Sequence, residues 1–167
     1  MLRIVAAIWG FTGVVLFIGY AVYRLSSYSL DVLDYPLLPW QWLLLLANVI
    51  FMAYSEGYKG FQKSFSPRVA ARVLYLSQHA KGLQIVFAPA FCLGYFGTTR
   101  RRQISACLLT VLLVGVIMLV KSLEQPWRGI IDAGVVVGLS WGLISFVFFV
   151  IQAFSQEDFP HSAEVSN

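Results

Sequence analysis

The chain predicts an all-α, polytopic integral membrane protein, and three features of its 167 residues predict it. Hydrophobic residues make up 59% of the chain and charged residues only 12%, a balance too oily for a water-facing domain. Apolar runs of bilayer-crossing length recur from end to end. The basic charge is clumped between those runs: nine of the twelve Lys and Arg lie between Gly57 and Leu123, where there is no Asp or Glu. A negative cytoplasmic leaflet selects this distribution, because positive loops resist translocation.

The first span is predicted over 4–24. Arg3 before an apolar run imitates a secretory signal, but the run is longer than a cleaved signal's and ends in Tyr20, Tyr23 and Arg24 rather than small residues. About 20 residues at about 1.5 Å each match the hydrocarbon thickness, and the tyrosines suit an interface. A polar connection from Ser26 to Asp34 follows. Pro36 and Pro39 then stiffen the entry to a second span, 40–55, marked by Trp40 and Trp42. The last two spans are 104–120 and 130–154, the latter long enough to tilt. Residues 1–154 form one bundle with no soluble domain, and 155–167 is a polar tail expected to be disordered.

The apolar piece 83–97 is the ambiguous element. As a helix its roughly 15 residues reach only about 22 Å, short of a crossing, and they include Pro89. If it dips and returns as a re-entrant or half-inserted hairpin, Arg3 and the eight basic residues from Lys59 to Arg102 share one side, against Arg24, Lys121 and Arg128 on the other. If it crosses, the Arg100, Arg101, Arg102 cluster moves to the sparse side. Three adjacent arginines are a strong cytoplasmic signal, so four transmembrane helices plus a hairpin is the leading architecture and five transmembrane helices the alternative. The N-terminus and the basic loop 56–81 are placed in the cytoplasm.

Within that loop, Ser66–Pro67 reads as a helix N-cap with proline at the first helical position. The helix it opens carries Arg68, Arg72, Tyr75 and His79 on one face and Val69, Val73, Leu76 and Ala80 beside them, the pattern of an interfacial amphipathic helix. Its N-terminus, with Lys63, Arg68 and the hydroxyls of Ser64 and Ser66, makes an anion site. Candidate headgroup- or phosphate-binding residues are therefore Lys59, Lys63, Ser64, Ser66, Arg68, Arg72 and His79. Glu56 is the one acid near this field, an ion-pair partner for Lys59 or Arg68, or a proton acceptor. Gly134, Gly138 and Gly142, at four-residue intervals, form a small-residue stripe for close helix packing, against an internal neighbour first and a second copy next.

Most catalytic classes lack their parts. Only two histidines exist, His79 and His161, too few in the apolar spans for bis-histidyl haem. There is no His-Glu-x-x-His, Cys-x-x-Cys, Gly-x-Ser-x-Gly or P-loop, and no cofactor or metal is predicted. Cys92 and Cys107 sit in apolar runs as small hydrophobes. The net charge of +4 points to anionic membrane lipid, since no aqueous domain exists to display a nucleic-acid face. The expectation is a non-enzymatic accessory or scaffold subunit that contacts anionic lipid through its basic loop, with a second membrane subunit or a homo-oligomer as partner. The alternatives are a membrane-embedded enzyme or carrier for a lipid-like phosphorylated substrate, with Glu56 and His79 at its mouth, and a small solute transporter.

Overall fold

A computed structural model describes residues 1–156 and 159–165. Among the described residues every regular element is helical, and the only β contact is an isolated bridge between Thr98 and Val165. Three helices are long and apolar enough to cross a membrane: Leu2–Asp34, Arg100–Lys121 and Trp127–Ser155.

Helix α1 spans Leu2–Asp31 and ends in a 3-10 turn, Val32–Asp34. The expected polar connection after residue 24 is thus mostly helix. Ser26 explains part of this, because its hydroxyl donates to the carbonyl of Val22 within the helix at 2.7 Å and needs no solvent. Ala6, Ala7, Gly10, Val14 and Ile18 form its buried face at helical spacing, small near the start and larger beyond.

Helix α2, Pro39–Met52, opens with proline at its first position, and the Gln41 side chain accepts from the Leu38 N–H at 2.8 Å. Beyond Met52 the chain departs from the sequence expectation more than anywhere else. It does not leave the helix at residue 55: it winds on as a π-helical stretch, Ala53–Phe65, and passes directly into α3, Ser66–His79. The residues 56–81 are therefore not a loop: up to His79 they are part of one rod from Pro39. Ser66 has helical φ −58° and ψ −46°, and no side chain caps α3. Proline inside a helix lacks a donor and crowds the carbonyl four residues earlier. The widened turns just before Pro67 are the kind of irregularity that accommodates it.

The segment 83–97 is broken into α4, Leu83–Val86, and α5, Ala88–Leu93, with Gly94 at φ 90° closing the second. Neither piece can cross a bilayer alone. Trp9 Nε1 donates to the Val86 carbonyl at 3.1 Å, Ala88 and Cys92 pack at Gly10, and Pro89 packs at Gly13. Helix α6, Arg100–Lys121, and helix α7, Trp127–Ser155, complete the chain.

Contacts fix the directions. Phe11 stacks near Phe146 with ring centroids 5.5 Å apart, while Val32 lies at Gly129, so α1 and α7 are antiparallel. Asn48 donates to the Ile130 carbonyl at 2.8 Å, and Gln62 accepts from Trp141 Nε1 at 2.8 Å, so the rod runs parallel to α7. Arg3 donates to the Gln78 carbonyl at 2.9 Å, closing the first end of α1 on the last turn of the rod. The core lies between α1, the rod, α5 and α7, with Leu76, Phe91 and Phe146 fully buried.

Candidate functional site

The candidate residues sort by height along the rod. Gly57 lies against Trp141, the midpoint of α7, so the polar stretch around it sits halfway along the bundle rather than beyond its end. Lys59 and Lys63 point outward there, each over the ring of the tyrosine five residues earlier: Lys59 Nζ is 4.8 Å from the Tyr54 centroid and Lys63 Nζ 4.7 Å from that of Tyr58. Cation–π contact of this kind partly replaces lost hydration. The two tyrosine rings stack at 6.0 Å, making a continuous aromatic and cationic strip.

Glu56 faces inward. A Cβ added at Gly138 would meet its Cβ and Oε2 at 3.2 Å, so the carboxylate is wedged against the glycine stripe of α7. Neither expected pair forms: Lys59 is over Tyr54, and Arg68 donates from Nε to the Ser64 carbonyl at 2.5 Å and from Nη2 to the Ser64 hydroxyl. Gly134 packs on Asn48 and Met52, and Gly142 on Phe61. All three glycines of the stripe thus face the rod, while Gly10 and Gly13 of α1 face α5.

The helix is already under way at Ser66, so Ser66 is not an N-cap and α3 has no separate, side-chain-capped start there. Ser66 is buried and its hydroxyl donates to the Gly142 carbonyl at 3.5 Å. Val69, Ala70, Val73 and Leu76 are buried against α1 and α7, so the apolar stripe of α3 serves the protein interior. His79 is exposed and stacks on Tyr75 at 5.0 Å.

Arg72 gives the site a different shape. Its side chain is buried, with Nε donating to the Ala163 carbonyl at 3.1 Å and Nη1 to the Cys92 carbonyl at 2.9 Å. Glu164 is 3.9 Å from Arg72 Nη2 and accepts from Arg102 Nε at 2.5 Å and Nη2 at 3.0 Å. The Arg102 hydrogen bond holds the Glu164 carboxyl below its ordinary range. Part of the tail expected to be disordered is therefore folded back: Phe159 and Val165 pack on the core, and His161 lies edge-on to Phe149 at 5.9 Å. Residues 157, 158, 166 and 167 of that tail lie outside the described residues. Sequence reading missed Glu164 and Arg102 as partners because they are 62 residues apart.

Compared with family models, with curated proteins and with solved structures, the chain matches none.

Two cavities, each about 290 Å³, flank α3. One lies between α3 and the tail, lined by Tyr75, Gln78, Phe159 and His161 among others; the other is apolar, between Ile4, Phe11, Val73 and Phe154. Neither is lined by Glu56 or His79, the mouth that an enzyme or carrier reading requires. Among the described residues no group of His, Cys, Asp and Glu is placed to hold a metal ion.

Proposed function

We propose that this chain is a non-enzymatic, multi-pass membrane protein: an accessory subunit that rests its basic end on anionic lipid and offers α6 to a second membrane protein. The observation that carries the reading is α6. It is 22 residues long, apolar from Ile104 to Val120 apart from Ser105 and Thr110, and none of its residues is buried. Helices in a bilayer associate by packing and hydrogen bonding, not by avoiding water, so a spanning helix with no packed face contributes little to its own bundle. It is tied at its ends, by Arg102 to Glu164 and by the short connection to α7, and through Thr110, whose hydroxyl is 2.6 Å from that of Tyr95. The outward Lys59 and Lys63 at mid-height favour the same reading, since cations at that depth call for a polar partner or water rather than hydrocarbon.

Four crossings, by α1, the rod, α6 and α7, with α4 and α5 as a half-inserted hairpin, fit the contacts. Arg3, Lys81, Arg100 and Arg101 are exposed at the end where the rod finishes, whereas Asp31, Asp34 and Glu124 belong to the opposite end with Arg24, Lys121 and Arg128. The positive-inside rule then puts the first end in the cytoplasm, against anionic headgroups.

A photocrosslinker at Leu112 of α6, in native membranes, tests the subunit role. An adduct of one discrete larger mass is expected, with Val14, buried in the core, giving none. Lipid adducts alone from every face of α6 would contradict it. For the lipid contact, replacing Arg100, Arg101 and Arg102 by Gln is expected to reduce retention of phosphatidylglycerol in native mass spectra; undiminished retention would count against it.

A further inference from the structure

The tail is fastened to the bundle through one carboxylate set between two guanidinium groups. We propose that Arg72 and Arg102 form a binding site for a phosphate group, and that Glu164 is its internal occupant, displaced when such a group binds. The source of the phosphate, a lipid headgroup, rests on the reading of this end as lipid-facing; the site itself rests on the geometry.

Arg102 takes both oxygens of Glu164 in a fork, through Nε at 2.5 Å and Nη2 at 3.0 Å, an arrangement phosphate accepts equally well. Arg72 is a pre-aligned second donor. Two of its nitrogens are fixed on the carbonyls of Ala163 and Cys92, and its Nη2 faces Glu164 from 3.9 Å, beyond hydrogen-bond length. A carboxylate has no third oxygen with which to close that gap, and a tetrahedral phosphate does. Among the described residues Glu164 is the only carboxylate paired with Arg72 and Arg102, so two positive charges face one negative charge. A dianionic phosphate balances them better.

The occupant is built to leave. Glu164 has φ 52°, a left-handed conformation that strains a non-glycine residue. Lifting the tail gives up the packing of Phe159 and Val165 on the core and of His161 on Phe149, but an open cleft of about 290 Å³ already lies between Tyr75 and Gln78 of α3 and Phe159 and His161 of the tail. The remaining ties are the Thr98–Val165 bridge, with the Thr99 N–H donating to the Glu164 carbonyl at 3.2 Å, and the Arg72 bond to Ala163. All of these lie within the last residues and can release together.

The test uses the full chain in phosphatidylcholine nanodiscs, with hydrogen exchange of residues 159–165 and binding measured in parallel. One arm adds phosphatidic acid to the nanodisc and the other adds soluble glycerol phosphate. Exchange of the tail is expected to rise on binding. Glu164→Gln is expected to bind about tenfold more tightly, the scale of one charged hydrogen bond removed from competition, and Arg102→Gln to lose binding. Binding in the phosphatidic acid arm alone identifies a lipid source; binding in both identifies a site open to soluble phosphates. If Glu164→Gln binds no more tightly than the natural chain in either arm, the site is overturned. Loss of phosphatidylglycerol retention on replacing Arg100 and Arg101 alone would still stand for the lipid-facing end, so the two failures are separable.

Discussion

Gly138 and Gly115 differ only in what surrounds them. A side chain at Gly138 meets Glu56 and the Met52 carbonyl, while one at Gly115 of α6 meets nothing within 4 Å. Gly138→Ile is therefore expected to destabilise the bundle by about 1–3 kcal/mol, the usual cost of overpacking. Gly115→Ala is expected to leave it unchanged or add up to about 1 kcal/mol through helix propensity. Thermal unfolding in mild detergent measures both. The spacing of the glycine stripe was visible in the sequence, but its partner was not, because Asn48, Met52, Glu56 and Phe61 belong to a segment whose helical continuation is hidden by two glycines and a proline. Glu164 makes a prediction in pH. Its carboxyl is lowered from an ordinary 4.5 by Arg102, so its contribution is fully present above that value and is lost as pH falls through the lowered one. A spin label at Pro160→Cys is expected to stay immobilised from pH 8 to pH 5 and to become mobile only in stronger acid. Mobility at pH 6 would contradict the tether.

Helices in this chain behave in two ways, and substitution separates them. Leu76 of α3 is fully buried at the junction of α1, α5 and the rod, so Leu76→Ala is expected to cost about 2–5 kcal/mol. Leu112 of α6 is 63% exposed, and Leu112→Ala is expected to change monomer stability by less than about 0.5 kcal/mol while weakening association with any partner. Equal effects at the two positions would mean that α6 packs on its own bundle. Apolar length revealed α1, α6 and α7, since a run of some 20 oily residues has few other fates. Polarity concealed the rod. Between Ser55 and Pro67 the residues look like a surface loop, yet their backbone groups bond within the helix, Gly57 lets Trp141 of α7 close in, and Phe61 packs at Gly142 of α7. Ser66–Pro67 carries the signature of a helix start but lies within a helix already under way, because the winding loosens just before the ring. The shortness of the segment 83–97 and its Pro89 were legible in the sequence, and the fold breaks it into α4 and α5.

For the molecule as a whole, residues that the charge rule groups on one side lie at one end of the bundle. The sequence places Arg3, Lys81 and the arginine cluster on one side by the charge rule. The folded chain brings Arg3 to Gln78 and Arg102 to the tail by direct contact. What composition alone could not supply is that residues 39–79 traverse the bundle's full height, leaving Lys59 and Lys63 at its middle. The central claim is this path of the chain, and cysteine labelling in intact cells tests it most directly. With Cys92 and Cys107 replaced by Ala, single cysteines at Asp34, Ser122, Lys81 and Arg101 are treated with a membrane-impermeant thiol reagent. Labelling of Asp34→Cys and Ser122→Cys from outside, with Lys81→Cys and Arg101→Cys reached only after permeabilisation, is the predicted result. If Lys81 labels from the same side as Asp34, the rod does not cross, and if Arg101 labels from the side opposite Lys81, the segment 83–97 does; either result contradicts the account.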